Sequence, residues 1–375
     1  MKRILYLVTE DWYFWSHRLA VADSAKKQGY EIFVITQHGN FADKIKSRGF
    51  TLLPFIMHRS IGSVFQELGE IIKLVRIYRE IKPDLINHIA LKPIIYGSIS
   101  AWIARVPHVI NSYTGLGHIF ISRALLSRIF MLLVVPFISI LFKNNRFHSI
   151  VQNSDDEKEL IELGLINSKS VSLVRGSGVD TSVFEFTLEP ETKKPVVIFA
   201  SRFLRDKGII EFIEAVKLLK ENGATARFVL VGTLDKANPT SIKEAELDNW
   251  IKQELVEWWG YRDDMDEVCR QANIVCLPSY REGLPKVLLE AASSGRAIVT
   301  TDVPGCREVV IDNVNGYLVP VKDPVRLADA IRRLLESPEL RTQMGAAGRQ
   351  LVEKHFDVEI INLATIELYK KLLTC

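Results

Sequence analysis

The sequence has few cysteines, and they do not form the pairs that are typical of disulfide-rich or zinc-binding domains. None of the four lies in a CxxC pair: Cys269, Cys276, Cys306 and Cys375. No group of His, Cys and carboxylate residues has metal-ligand spacing, so we expect no metal site. The apolar stretch 4–8 is too short for a secretory signal and predicts a first strand, so we expect a reducing cytoplasm.

Hydrophobic runs long enough to cross a membrane are also missing. The fourteen uncharged residues 129–142 fall short of the roughly twenty that a transmembrane helix needs. Four cations flank the run: Arg123, Arg128, Lys143 and Arg146. One interpretation is a buried core helix. We favour the other, partial insertion of segment 123–146 beneath anionic headgroups at the inner leaflet of the cytoplasmic membrane.

Acidic residues are absent from residue 85 to residue 154, which contain six Lys and Arg residues. Because the whole chain has a formal net charge of +3, the rest of it carries −3. Basic charge is therefore concentrated in one half of the predicted N-terminal domain. A basic region also suits nucleic acid, but aromatic residues are not interleaved with these cations and no nucleic-acid-binding module is recognisable. We expect no nucleic-acid partner.

Short β-rich segments alternate with helical segments almost throughout the chain, a pattern typical of parallel α/β domains. A length of 375 residues suits two such domains. A segment with Pro190, several Thr and mixed charge predicts a linker. The predicted parts are an N-terminal domain, a linker, a C-terminal domain and a closing helix, at 1–182, 183–194, 195–355 and 356–375.

The most informative stretch is 279–291, where Glu282 lies in a Gly/Pro turn and Glu290 lies in an apolar helical run. A strand is predicted just before the turn, and Pro285 suits the first turn of the helix after it. Backbone N–H groups at a helix N-terminus bind anionic oxygens. Glu290 can accept hydrogen bonds from a diol. These features together predict a nucleotide-sugar pocket.

A second informative stretch is 196–208, a buried-type strand followed by a loop with Arg202 and Lys207. Arginine can fork across a diphosphate, and lysine adds a point charge. Ligands of open α/β sheets bind beyond the carboxyl ends of the strands. The loop therefore predicts a site that neutralises a leaving nucleoside diphosphate without a divalent metal.

These residues resemble the retaining glycosyltransferases of family 4. The resemblance spans 196 to about 320 in the family's order, and its motifs are the Arg202-x4-Lys207-Gly208 loop, Leu230–Gly232, Gly260–Met265, Glu282-x7-Glu290 and Asn315–Pro320. It implies the GT-B fold, in which two Rossmann-like α/β domains face each other across a cleft and a C-terminal helix crosses back to the first domain. His88–Pro93 and Gly115–Gly117 resemble a narrower group that extends polyprenyl-diphosphate-linked glycans of O-antigens and capsules.

The resemblance implies that the C-terminal domain binds the donor. Arg202 and Lys207 would bind its diphosphate, Glu282 the hydroxyls of the transferred sugar, and Glu290 the ribose. Further donor-binding residues are expected at Gly232, Arg262, Gly283, Leu284, Lys286 and Val287. Arg262 lies in the loop that resembles the family's base-binding segment, where contacts are mainly through the backbone.

The N-terminal domain is expected to bind the acceptor. His88 ends a strand and is a candidate catalytic residue, although a lone histidine is also often structural. The acceptor-binding candidates are His17, Lys92, Gly115, Leu116, Gly117 and His118. The first strand-to-helix loop has the aromatic segment Trp12–Trp15 where many family members have a glycine pair. A wall for a sugar or prenyl group and ordinary packing are both open for it.

We therefore expect a hexosyltransferase that moves a HexNAc or hexose unit from a UDP-sugar to a polyprenyl-diphosphate-linked sugar, with retention at the anomeric carbon. Carboxylates at glycosidase spacing are not evident, which favours front-face attack over double displacement. Two alternatives remain: a UDP-sugar 2-epimerase of related fold, and a non-catalytic scaffold of a glycan-assembly complex.

Overall fold

The computed structural model describes residues 1–57, 64–115, 136, 138–142, 144–236 and 238–374. The chain divides into two compact units. Unit 1 comprises Met1–Ser177 and Ile360–Cys375, and unit 2 comprises Gly178–Glu359.

Unit 1 contains a seven-stranded parallel sheet with the order β3-β2-β1-β4-β5-β6-β7. The strands are β1 Arg3–Glu10, β2 Glu31–Gln37, β3 Thr51–Pro54, β4 Leu85–Ile89, β5 His108–Ser112, β6 Phe147–Val151 and β7 Val171–Leu173. Helices cover both faces of a parallel sheet, so its central strands are rich in buried Ile, Leu and Val. The chain reverses its direction of winding between β1 and β4, which is where such sheets bind ligands.

The described helices of unit 1 before its final segment are α1 Asp11–His17, α2 Leu19–Lys27, α3 Ala42–Ser47, α4 Val64–Ile81, α5 Leu91–Ala104 and α6 Ser154–Glu162. The sequence predicted one helix from Arg18 to Gln28 with a loop before it. The structure instead has two helices, because Arg18 has a non-helical backbone with φ −128° and ψ −11°. The aromatic segment therefore forms α1 directly after β1.

Unit 2 contains a six-stranded parallel sheet with the order β10-β9-β8-β11-β12-β13. Its strands are β8 Val196–Ala200, β9 Arg227–Val231, β10 Glu257–Trp258, β11 Ile274–Leu277, β12 Ala297–Thr301 and β13 Gly316–Val319. Its described α-helices are α7 Ile209–Glu221, α8 Glu244–Lys252, α9 Met265–Gln271, α10 Lys286–Ser293, α11 Cys306–Val309, α12 Pro324–Glu336 and α13 Pro338–His355. The reversal of winding lies between β8 and β11. The expectation of two Rossmann-like parallel α/β domains is confirmed.

The segment predicted as a linker, residues 183–194, lies within unit 2. Ser293 Oγ donates to the Phe184 carbonyl at 2.6 Å, and Arg341 forks onto the Glu189 carboxylate at 2.7 and 2.8 Å. The division between the two compact units lies between Ser177 and Gly178. Buried side chains of unit 2 hold residues 183–194, which composition alone does not reveal.

The last helix, α14 Val358–Thr374, begins in unit 2 and continues in unit 1. Within unit 1 the Tyr369 hydroxyl lies 3.2 Å from the Tyr6 hydroxyl and accepts a hydrogen bond from Asn87 Nδ2 at 3.0 Å. The helix therefore supplies part of the interior of unit 1.

Part of the apolar run 129–142 lies within the described residues. Ile138, Leu141 and Phe142 are buried in the core of unit 1, whereas Ile140 is 69% exposed. Of the flanking cations, Arg146 is half-buried, and Arg123, Arg128 and Lys143 lie outside the described residues. In the described part of the chain, no helix combines the length and the apolar character needed to cross a membrane.

Candidate functional site

The centre of the candidate site in unit 2 is a contact between Lys207 and Glu282. Lys207 ends a one-turn 3-10 helix after β8, and Glu282 lies in the loop after β11. Lys207 Nζ lies 2.5 Å from Glu282 Oε1, and Ser279 Oγ donates to the same oxygen at 2.6 Å. The loops at the carboxyl ends of β8 and β11 thus bring a cation and a carboxylate together at the point where the winding of the sheet reverses.

Glycines allow these two loops to approach closely. Gly208 has φ +75°, and a Cβ there would overlap the Pro278 carbonyl. A Cβ on Gly305 would lie 2.5 Å from the Gly283 carbonyl oxygen. The backbone is also tied across the loops, since Tyr280 N donates to the Asp206 carbonyl at 2.9 Å. The position of Glu282 relative to Lys207 is therefore fixed by the main chain.

Arg202 makes its contact on the other side of β8. Its Nη1 donates to Asp235 Oδ2, in the loop after β9, at 2.8 Å, and its side chain is 44% exposed. The two cations predicted to bind one diphosphate therefore engage different carboxylates. Exposure of Arg202 leaves its guanidinium accessible to a ligand, because an exposed ion pair is held weakly.

The turn after Glu282 leads into α10. Pro285 occupies the N-cap position with an extended backbone, one residue earlier than the predicted first-turn position. Gly283 and Leu284 lie between Glu282 and this cap. The first N–H groups of a helix have no acceptor within it, and here they belong to Lys286 and Val287. This end of α10 suits an anionic oxygen.

Glu290 lies one turn further along α10, and its side chain is only 8% exposed. Burial raises the pKa of the Glu290 carboxyl, and the nearby Lys286 ammonium opposes that shift. Lys286 Nζ lies 3.5 Å from Glu290 Oε1. A buried carboxylate with one cationic neighbour can still accept hydrogen bonds from hydroxyl groups.

Gly232 follows β9 with φ +132°, and a Cβ there would overlap the Ser201 carbonyl. Its carbonyl accepts a hydrogen bond from Trp258 Nε1 at 3.0 Å. Arg262, from the same group of loops, forks onto Asp264 at 2.6 and 2.5 Å. The Arg262 guanidinium thus has a local partner in the loop that was predicted to contact the base.

His88 does not lie at a ligand-accessible surface, which corrects its candidacy as a catalytic residue. Its ring is fully buried, with Nε2 3.2 Å from the Tyr78 hydroxyl and Nδ1 3.0 Å from Asn111 Oδ1. Burial lowers the pKa of His88 to about 4, and a Cβ on Gly97 would overlap the ring. The side chain points to the face of the sheet covered by α4 and α5. It therefore ties those helices to β4.

Lys92, at the start of α5, lies in a cluster that the sequence did not predict. Its Nζ is 3.1 Å from a Glu67 oxygen and 3.6 Å from a Glu70 oxygen. It also lies 4.9 Å from the centre of the Tyr96 ring. Glu67 and Glu70 are three residues apart on α4, a spacing that places them on one face of the helix. That spacing is the feature of the sequence that could have indicated a pair of neighbouring carboxylates on α4.

His17 ends α1, and its ring stacks on Tyr13 at 4.2 Å with Nδ1 2.5 Å from Ser16 Oγ. Within the aromatic segment, Phe14 is fully buried and Trp12 is 37% exposed. Gly115 follows β5 with φ +109°. Three further acceptor candidates lie outside the described residues: Leu116, Gly117 and His118.

Among the described residues, no group of three or more His, Cys, Asp or Glu is arranged to hold a metal ion.

Comparisons with known proteins agree with this arrangement of two domains. The model of the family described as glycosyl transferases group 1 matches residues 181–351, and the glycosyl transferase 4-like model matches residues 3–147. The first match contains the Lys207 and Glu282 loops, and the second contains the Lys92 cluster.

Two relatives and one solved structure illustrate the similarity. The chain is 27% identical over 95% of both chains to an N,N'-diacetylbacillosaminyl-diphospho-undecaprenol alpha-1,3-N-acetylgalactosaminyltransferase of Campylobacter jejuni. It is 23% identical to a UDP-Gal:alpha-D-GlcNAc-diphosphoundecaprenol alpha-1,3-galactosyltransferase of Escherichia coli, over 74% of this chain and 73% of that one. Anabaena HepE in complex with UDP matches with a TM-score of 0.76 and 21% identity, over 99% of this chain and 100% of that one.

Proposed function

Since this chain belongs to the group 1 and 4-like glycosyltransferases, we propose that it transfers a hexosyl unit from a UDP-sugar to a polyprenyl-diphosphate-linked sugar, with retention at the anomeric carbon. The transferred unit is a hexose or an N-acetylhexosamine. The product belongs to the assembly of a bacterial surface polysaccharide or another lipid-linked glycan.

The observation that carries the donor half of this proposal is the contact between Lys207 and Glu282. A cation and a carboxylate from two strand ends lie side by side, next to the N-terminus of α10. The ammonium and the N–H groups of Lys286 and Val287 suit a diphosphate, and the Glu282 carboxylate suits sugar hydroxyls. Both halves of a nucleotide sugar thus have complementary groups within one set of loops.

The chemical step follows from those groups. The bond between the anomeric carbon and the donor diphosphate oxygen breaks, and an acceptor hydroxyl forms its bond on the same face. The proton of that hydroxyl passes to the departing diphosphate oxygen. Lys207 and Arg202 stabilise the negative charge that grows on the diphosphate. Glu282 positions the sugar, and Glu290 accepts hydrogen bonds from the ribose hydroxyls. We propose that no divalent metal takes part.

The acceptor half of the proposal rests on unit 1 and on the relatives. The two relatives described above are named for undecaprenyl-diphosphate-linked acceptors. Lys92 and Gly115 lie just after β4 and β5, at the edge where parallel sheets bind ligands. His17 ends α1, the helix that follows β1. We further propose that the protein acts in the cytoplasm, peripherally on the inner face of the membrane, where the basic segment 123–146 meets anionic headgroups.

The test is a transfer assay with purified protein, a panel of radiolabelled UDP-, GDP- and ADP-sugars and a bacterial membrane lipid extract. We expect label from one UDP-sugar to enter the lipid fraction and to be released by mild acid, which cleaves sugar diphosphates. An epimerised nucleotide sugar without any acceptor would contradict the proposal in favour of an epimerase. Absence of UDP binding by calorimetry would contradict it in favour of a scaffold.

A further inference from the structure

The cluster around Lys92 contains one ammonium, two carboxylates and a phenol. Lys92 Nζ lies 3.1 Å from Glu67 Oε2 and 3.6 Å from Glu70 Oε2. Tyr96 is hydrogen-bonded to Glu67, and burial together with these carboxylates raises the pKa of its phenol. The three charged side chains are 17%, 13% and 7% exposed for Lys92, Glu67 and Glu70. The cluster is therefore compact and only partly open to solvent.

The charge of this cluster does not suit a phosphate. Counted over the residues that the structure describes, the two carboxylates of the cluster outnumber its one ammonium, so its formal charge is −1 when all three groups are ionised. The positive charge of Lys92 is already balanced by neighbours within 4 Å. A diphosphate placed there would meet two carboxylates in a region of low dielectric, where like charges repel strongly. An acceptor-binding role for Lys92 is therefore better based on a neutral part of the acceptor than on its diphosphate.

Glu70 has capacity for further hydrogen bonds. The residue is 6% exposed, and neither of its carboxylate oxygens accepts a hydrogen bond from any residue that the structure describes. A buried polar group without hydrogen bonds destabilises the fold, and it does so more strongly when it is charged. Hydroxyl groups are neutral donors that can fill these acceptor positions without adding charge.

The cluster lies at the edge of the sheet where a substrate is expected. The helix α4 precedes β4 and runs antiparallel to it, so its first turns lie at the carboxyl end of the strand. Between β4 and α5, Ala90 has φ +75° and ψ 164°, a conformation rarely adopted by residues other than glycine. Such strain is found most often at functional sites. The buried hydrogen bond between Tyr78 and His88 fixes α4 against β4 below the cluster.

We propose that Glu67, Glu70, Lys92 and Tyr96 form the subsite that binds the hydroxyl groups of the acceptor's sugar. Glu70 and Glu67 accept hydrogen bonds from those hydroxyls, and Lys92 holds the two carboxylates together. The acceptor diphosphate binds elsewhere. This inference rests on the proposed function, because it assigns a part of the acceptor to a part of unit 1.

The first test compares Glu70→Gln with wild type, using a farnesyl-diphosphate-linked N-acetylglucosamine acceptor. The change keeps the shape of the side chain and removes its charge. We expect the acceptor KM to rise at least tenfold, while the donor KM and the slow hydrolysis of the UDP-sugar without acceptor stay within twofold. Glu80→Gln is the matched control, because Glu80 is exposed on the same helix. An unchanged acceptor KM in Glu70→Gln would overturn the inference.

A binding measurement separates this inference from the proposed function. Saturation-transfer NMR is run with saturating UDP and four free sugars, N-acetylglucosamine, N-acetylgalactosamine, glucose and galactose, and separately with inorganic pyrophosphate. We expect at least one sugar to bind wild type and Glu80→Gln and to lose its signal in Glu70→Gln. Glu67→Gln replaces Glu70→Gln if the latter melts more than 5 °C lower.

The kinetic and binding measurements together distinguish a failure of the subsite from a failure of the proposed function. Sugar binding that depends on Glu70, without transfer to any lipid, would refute the proposed function and leave the subsite standing. Transfer that does not respond to Glu67→Gln or Glu70→Gln would refute the subsite alone. Failure of all four sugars to bind wild type, or loss of pyrophosphate binding in Lys92→Met, would also overturn it.

Discussion

Lys207 Nζ lies 2.5 Å from Glu282 Oε1, and the two side chains come from loops that follow adjacent strands of one parallel sheet. The carboxylate also accepts a hydrogen bond from Ser279, so it has a second partner when a ligand draws the ammonium away. A diphosphate that enters this site therefore replaces Glu282 as the partner of an ammonium group that is already oriented. Preorganised charge of this kind is an effective way to stabilise a leaving group.

Lys207→Ala should lower the rate of transfer by about a hundredfold to a thousandfold, since it removes a charge that acts on the departing diphosphate. Lys217→Ala is the matched control, because Lys217 is an exposed lysine on the following helix. The measurement is the initial rate of label transfer to lipid, with thermal unfolding as a check on the fold. A Lys207→Ala enzyme within a fewfold of wild type would remove Lys207 from the mechanism.

Gly208→Ala should lower the free energy of unfolding by more than Gly223→Ala does. Both glycines have a positive φ, +75° and +78°, so alanine at either position costs about 1–2 kcal/mol of backbone strain. A Cβ at Gly223 meets no atom within 4 Å, whereas one at Gly208 overlaps the Pro278 carbonyl and forces the two site loops apart. Urea denaturation of the two variants measures the difference. Equal losses of stability would show that the close contact of the loops does not matter.

His88 should make the protein less stable as the pH falls from about 6.5 towards 4. Burial lowers the pKa of His88 to about 4 in the folded protein, so between those values the unfolded chain binds more protons. The stability it confers is present above its unfolded pKa and is lost as the pH falls through this window, by up to about 3 kcal/mol. Urea denaturation of wild type and His88→Gln at pH 4 to 7 measures this.

His148→Gln is the comparison for that experiment. Burial also lowers the pKa of His148 to about 4, so each variant should remove its own part of the pH dependence. His88→Gln should leave the rate of transfer per folded molecule within a few-fold of wild type, since the ring is buried away from any substrate. A variant that is fully folded but inactive would restore a catalytic role to His88.

Transfer should be insensitive to chelators, because Lys207, Arg202 and the N-terminus of α10 supply the positive charge that a divalent metal supplies elsewhere. The measurement is the rate of transfer after dialysis against EDTA, with and without added Mg²⁺ or Mn²⁺. Complete loss of activity that is restored by one of these ions would contradict this prediction.

The sequence predicted strands of the central sheets well, because their buried residues form short unbroken runs of Val, Ile and Leu. The sequence predicts strands at Arg227–Val231 and Ile274–Leu277, and these are the bounds of β9 and β11 in the structure. It missed β7 and β10, which have three and two residues, too few to show a periodic pattern. It also missed α1, because the aromatic segment Trp12–Trp15 was assigned to a loop before a helix that begins at Arg18.

Site residues were predictable where a local motif carries them. Lys207 and Glu282 were found because each lies in a loop of recognisable composition between a strand and a helix. Glu67, Glu70 and Asp235 were not found, since their partners are distant in sequence and only the folded chain brings them together. The histidine in β4 was ambiguous for a related reason: the face to which a strand residue points depends on register, which a five-residue strand does not fix.

The most direct test of the donor site is a crystal structure of the protein with UDP. We expect the diphosphate to lie within hydrogen-bonding distance of Lys207 Nζ and of the N–H groups of Lys286 and Val287 at the start of α10. A diphosphate bound away from this loop pair, with the Lys207–Glu282 contact undisturbed, would contradict it.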